Sequence, residues 1–343
     1  MSNTSTLNQH TQKVAGMLDF TSKSTCYSPF SLMHALSLLA KCSNDASIQE
    51  LVQKLELNEA QIQDFVAQLK KDASIAVASN IFDANILGLN EDFKKLMLKQ
   101  YDVVPEQLVS AAQVNGWCSK HTNNKIKEIV DSVEGMETVL ISAIHFKAAW
   151  DIKFNTYLTC KMPFNGFTKQ SEVNMMNAKF KMDYVKTRTA QVVRLPYCNS
   201  TLSACIILPL AKSQKDFKDA LSLTNLQPSF SKCETALSLP RFTISSSFNL
   251  EDLLQQFGVS KIFNNIDCAE TLNKQLRMQK IIQKTFIETN ENGTEAAAVT
   301  AMFEDNDDIE FNQNIVKMVC DHPFWFILSG KRGVVFVSSI TLS

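Results

Sequence analysis

A chain of 343 residues that is 45% hydrophobic can bury a large core, and its 34 basic against 35 acidic residues leave a net charge of −1, which draws in neither nucleic acid nor an anionic membrane. No run of the roughly 18 uncharged apolar residues that a span needs occurs, and residues 1–14 are polar where a signal peptide would be apolar. Nine cysteines without a Cys-x-x-Cys pair speak against a zinc knuckle and a disulfide framework, so the expectation is a soluble protein with reduced thiols, no metal and no cofactor, cytoplasmic or exported without a signal peptide.

Along the chain the first strong signal is Ser28-Pro29-Phe30-Ser31, a Ser cap followed by Pro at the first helical position and an apolar helical run to residue 40. Helical spacing recurs in residues 48–55, 60–69, 91–101 and 114–130. Strand signals follow: a nearly continuous apolar run at 139–146, then short strands at 192–195, 203–208 and 237–239. Asn249 is placed to cap a helix over 250–257, with Asp252 in its first turn. An apolar strand at 281–289 and a hairpin of 324–328 with 334–337 complete the series. No repeat or Pro/Gly/Ser linker divides the chain, so α+β architecture in a single domain over 1–343 is expected.

Between the last two elements lies Asn290-Glu291-Asn292-Gly293-Thr294-Glu295-Ala296-Ala297-Ala298-Val299-Thr300-Ala301, followed by a stretch in which five of the seven positions 304–310 are acidic. On pattern alone this is an Ala-rich helix running into a solvated acidic loop. The five His residues show no metal spacing and no Gly-x-Ser-x-Gly occurs, so a hydrolase site has no support and His322 reads as structural. Asn-x-Ser/Thr matches stand at Asn3, Asn199 and Asn292.

Glu291-Asn292-Gly293-Thr294-Glu295-Ala296-Ala297-Ala298 resembles the proximal hinge of inhibitory serpins. Other motifs resemble the same family in order: Tyr27-Ser28-Pro29-Phe30-Ser31, Val114-Asn115-Gly116-Trp117, Leu140-Ile141-Ser142-Ala143-Ile144-His145-Phe146 with Trp150 and Phe154, Leu195-Pro196-Tyr197, Leu239-Pro240-Arg241-Phe242 and Asp321-His322-Pro323-Phe324. The resemblance implies helices around a large, mostly antiparallel main sheet with two smaller sheets, and an exposed reactive-centre loop at about 291–319. It implies a suicide-substrate inhibitor and no enzyme: the loop is cut, its first half enters the main sheet as a strand, and the acylated protease is trapped. Serpin loop insertion is a standard instance of β-strand addition. Inward positions of such a strand must be small, and Thr294, Ala296, Ala298 and Thr300 are.

The family's spacing puts the scissile bond roughly fourteen residues past the hinge Gly, about 46 Å of strand. From Gly293 this gives Asp307-Asp308, while counting back from Pro323 gives Phe311-Asn312. The implied partner is a target protease held as a covalent acyl-enzyme, either a serine protease or a caspase-like cysteine protease, on a monomeric inhibitor. The shutter under the middle strands comprises Ser28, Ser31, Ser142 and Gln283, of which Ser142 and Gln283 replace the family's Asn and His. That replacement allows either a compensating polar pair or an altered ease of sheet opening. The hinge is expected to be exposed before cleavage, so that Thr294→Arg folds and becomes a plain substrate. The other reading is a non-inhibitory serpin, a carrier, chaperone or protease substrate.

Overall fold

The Pro29–Leu39 helix starts as its sequence requires. Ser28 is extended, its Oγ accepts from Ser31 N at 3.0 Å, and Pro29 fills a position whose N–H would go unpaired in any case. Every residue of this helix is buried, so its all-round apolar composition marks a core element rather than an amphipathic one. The computed structural model describes residues 4–56, 58–70, 74–86, 88–226, 228–294, 315–331 and 333–342. They fall into two compact units, residues 1–27, 146–244 and 287–343 in the first and 28–145 and 245–286 in the second.

In the second unit Asp45 caps Ala46–Lys54 through Ser47 N and Ile48 N, and Asn90 caps Glu91–Tyr101 through Asp92 N and Phe93 N. The Thr138–Phe146 strand is buried at every position, which explains its unbroken apolar run. It pairs in parallel with Lys280–Asn290, from Lys280 opposite Val139 to Phe286 opposite His145, and nothing lies between the two. Ile266–Cys268 and Lys274–Leu276 form a separate antiparallel pair.

Two helix boundaries differ from the sequence reading. The helix expected over 114–130 is Ala111–His121: Thr122 Oγ1 turns back onto Cys118 O at 2.8 Å, and Asn123 and Asn124 take left-handed conformations that end it. Asn249 caps nothing. It ends the Phe242–Asn249 strand, and Glu251–Gln256 begins after Leu250, which is buried and donates its N–H to Ile281 O at 2.8 Å. Burial of Leu250 sets the chain's entry where a polar cap was expected.

Among the described residues the first unit holds a nine-stranded sheet. Its order runs Thr25–Tyr27, Gly333–Ile340, Phe324–Gly330, Ser203–Pro209, Ala190–Pro196, Gln170–Lys186, Ser231–Pro240 and Val316–Val319, with Cys160–Asn165 also on Gln170–Lys186. Its recorded pairs are antiparallel except for Val316–Val319 against Ser231–Pro240. Trp325 anchors the sheet's core, stacked on Phe217 with ring centroids 4.3 Å apart and donating its indole N–H to Phe217 O at 2.7 Å. A Thr4–Met17 helix, for which the polar N-terminal stretch gave no signal, also belongs to this unit. With helices, a large mixed sheet and smaller sheets, the fold is α+β. No helix among the described residues is long and apolar enough to cross a membrane.

Candidate functional site

The hinge residues Glu291, Gly293 and Thr294 are built into the first unit. The strand ending at Asn290 turns through Glu291 and Asn292, and Gly293–Thr294 returns antiparallel, with Thr289 opposite Thr294 and Asn290 opposite Gly293. On its other edge the same short strand pairs antiparallel with Ala148–Ala149. Gly293 has φ +153°, and a Cβ there would stand 2.1 Å from Ala148 O and 2.6 Å from Ala149 Cα. Glycine is therefore required for the close approach of two backbones as well as for its conformation.

Thr294 is fully buried, with Oγ1 2.6 Å from the Tyr197 hydroxyl. Tyr197 stacks on Trp150 at 4.5 Å and meets Phe146 edge-on at 4.8 Å. Burial pushes the Tyr197 hydroxyl well up, against a smaller opposing effect of Thr294, so it keeps its proton and its hydrogen bond. The turn is also wrapped by backbone: Trp150 donates its indole N–H to Asn290 O and its main-chain N–H to Asn292 O, both at 2.9 Å, and Phe154 N reaches Glu291 O at 3.0 Å.

Glu291 is only 2% exposed, and a buried carboxylate needs a cation. Arg241 supplies it through Nε at 2.7 Å and Nη2 at 2.5 Å, and Thr159 Oγ1 donates at 2.5 Å. Burial alone would raise the carboxyl's pKa; the Arg241 and Thr159 hydrogen bonds outweigh it and hold the value below the usual 4.5. The expected exposure of the hinge before cleavage is thus overturned at Glu291, Gly293 and Thr294. Pairing on both edges and the Glu291–Arg241 ion pair bury these residues in the intact protein. Glu295, Ala296, Ala297 and Ala298, and both candidate bonds, Asp307-Asp308 and Phe311-Asn312, lie outside the described residues.

The four shutter residues do converge, all of them in the second unit and all fully buried. Gln283 uses its amide as a second peptide: Oε1 accepts from Ser28 N at 3.0 Å and Nε2 donates to Ser28 O at 2.8 Å. Ser142 Oγ donates to Ser31 O at 2.9 Å, and since a hydroxyl has one proton, the 2.6 Å contact between the hydroxyls is donated by Ser31. Ser142 and Gln283 face each other in register, yet each reaches to the helix start. Among the described residues Ser142 and Gln283 do not bond each other as a compensating pair would; each bonds the helix start, through Ser31 and Ser28.

Sequence reasoning missed Arg241, Thr159 and the bonds made by Tyr197 and Trp150. The signal available was indirect: Arg241 and Tyr197 stand in motifs noted only for likeness.

A family model described as Serpin (serine protease inhibitor) matches residues 6–341. Antichymotrypsin-2 of Bombyx mori is 31% identical over 92% of this chain and 90% of that protein, and Serpin B8 of Homo sapiens is 28% identical over 92% and 91%. Among solved structures, Serpin48 of Tenebrio molitor superposes with a TM-score of 0.87 at 23% identity, over 99% of this chain and 97% of that one, a likeness of fold.

Proposed function

The chain belongs to the serpin family, whose members are mostly protease inhibitors rather than enzymes, and from that premise we propose that it is a suicide-substrate inhibitor acting as a single domain. A protease's serine hydroxyl attacks the carbonyl carbon of Asp307. The Asp307-Asp308 peptide bond breaks, the amine of Asp308 leaves with the hydroxyl's proton, and Asp307 stays bound to the protease as an ester. Residues from Gly293 onward then extend as a strand, and the tethered protease is carried away before water completes the cycle.

One observation carries this reading. Gly293–Thr294 already lies between the end of Lys280–Asn290 and Ala148–Ala149, antiparallel to both. Polarity agrees further down: Thr138–Phe146 and Lys280–Asn290 are parallel neighbours, so a strand entering between them after a tight turn runs antiparallel to each. The small residues at Thr294, Ala296, Ala298 and Thr300 suit the inward positions of that strand.

Relatives named antichymotrypsin, antitrypsin and leukocyte elastase inhibitor favour a serine protease as partner. An acidic residue before the bond calls for an Asp-directed enzyme of that class, with a caspase-like cysteine protease as the alternative; cleavage after Phe311 calls for a chymotrypsin-like one. The acidic stretch 304–310 speeds association with a cationic protease, and salt screens the effect. The protein works as a monomer, without cofactor, in the cytoplasm or after export.

Glu304 favours the second reading, a non-inhibitory serpin, because by the count of two it falls in an inward position where an unpaired charge arrests insertion. Incubation with a panel of serine and cysteine proteases separates the two. A complex that survives SDS, with Asp308 as the new N-terminus, is expected; cleavage without a complex establishes the non-inhibitory reading, and a different N-terminus moves the bond.

A further inference from the structure

The Pro29–Leu39 helix is tied near both ends to the stretch of chain 265–283. Gln283 holds its start, as described. Just past its other end, Cys42 and Cys268 are free thiols, each 1% exposed, and Cys42 Sγ lies 3.9 Å from Leu38 O. Their backbones are held together. Thr271 Oγ1 donates to Cys42 O at 2.5 Å and lies 3.4 Å from Cys268 O, so the two carbonyls stand no further apart than those two bonds laid end to end. On either side Ser47 Oγ donates to Asn265 O at 2.7 Å, and Asp267 N to Asp45 Oδ2 at 2.7 Å.

We propose that Cys42 and Cys268 are a disulfide-forming pair, closed by a peroxide oxidant into a covalent clasp within the second unit. One sulfur, as thiolate, attacks a peroxide oxygen: an S–O bond forms, the O–O bond breaks, and the departing hydroxide takes up the thiol's proton as water. The second sulfur attacks the resulting sulfenic sulfur; the S–S bond forms, the S–O bond breaks, and hydroxide leaves with the second proton as another water. Two thiols are oxidised by two electrons and one hydrogen peroxide is reduced to two waters.

Cys268 beside it, with burial added, pushes the Cys42 thiol up, so resting Cys42 is a poor nucleophile, and both thiols are shut away from an oxidant in solution. The first step therefore follows transient opening and is slower than oxidation of the exposed Cys160 and Cys198. The second step is fast, because the partner thiol is already in place and no diffusing thiol competes with it. The clasp closes a long loop, from residue 42 to residue 268, which confers more stability than a short one. It joins the end of the helix to the Ile266–Cys268 strand and does not cross the pairing of Ser142 with Gln283. It leaves the proposed trap free to work, and its test does not depend on that trap.

The whole protein is treated with hydrogen peroxide, remaining thiols are alkylated, and the chain is digested without reductant. The expected product is a peptide pair joined through Cys42 and Cys268, separated by reductant and absent from Cys42→Ser. Low urea speeds its appearance, and the oxidised protein melts roughly 5 °C above the reduced one. Recovery of both residues as free thiols while Cys160 and Cys198 are oxidised, or a cross-link from Cys268 to another cysteine in the unsubstituted protein, overturns the proposal.

Discussion

The hinge turn of the first unit and the helix start of the second both bury polar groups completely, by opposite means. At the helix start, Ser28, Ser31, Ser142 and Gln283 are neutral and their bonds close on one another. At the hinge the central group is an ion, Glu291, whose partner Arg241 is 43% exposed, and the chain closes on a glycine with no room for a side chain. A closed neutral set is indifferent to pH and salt; an ion pair at the protein's edge answers to both. The hinge is accordingly the adjustable site and the helix start the fixed one.

The sharpest way to break this contrast is Gly293→Val. Its Cβ meets Ala148 O, so the short strand must leave its place, at about 3 kcal/mol or more, read as a drop in melting temperature and new protease sensitivity at the turn. An unchanged melting curve removes the claim that two backbones meet there. Next is Gln283→Leu, which removes the Gln283 bonds to Ser28 N and Ser28 O, the carbonyl keeping Leu32 N at 3.2 Å; we expect a loss of about 1–3 kcal/mol that is the same at pH 5 and pH 8. A pH-dependent loss there erases the distinction between the sites.

Glu291→Gln sharpens it from the other side. Breaking the pair costs about 1–2 kcal/mol, discounted because Arg241 is partly solvated. The folded carboxyl titrates below its unfolded value of 4.5, so its contribution is fully present above pH 4.5 and fades as pH falls through the folded value. Parent and variant should converge in melting temperature below pH 4.5, and a constant gap contradicts the assignment. Thr294→Arg, aimed at the trap, also puts a cation into a fully buried site of the intact fold, so it is read beside Ala296→Arg, two positions on. Both should be cut without holding the protease, and Thr294→Arg should melt early. Smallest of all, Lys161→Ala should leave stability unchanged, since Lys161 and Glu172 are 70% and 62% exposed.

Much of the fold was legible where one physical signal dominates. Glu91–Tyr101 agrees with the expected 91–101 because its cap, period and stop coincide. The Gln170–Lys186 strand escaped notice, since its seventeen residues alternate irregularly between exposed and buried positions. At the site, the residues of the hinge and shutter could be named from likeness to a family, but not whom they bond. Gln283 finds its partner in a backbone peptide 255 positions away, and no side-chain pattern announces a main-chain acceptor. Nor does a hinge motif announce its own burial, which depends on Ala148, Tyr197 and Arg241 arriving from elsewhere in the chain.

The nine-stranded sheet has a consequence in time. Its Thr25–Tyr27 edge strand pairs with Gly333–Ile340, Thr25 opposite Ser339 and Tyr27 opposite Val337. During synthesis the emerging edge strand finds no neighbour, and everything between must be translated before one exists. At about 5–20 residues per second this is a wait of roughly 15–60 s, long beside the microseconds in which a hairpin forms. The second unit, bounded by residues 28 and 286, can assemble meanwhile. The first cannot be finished until residue 340 has left the ribosome, so the exposed strand edge is a client for chaperones until then.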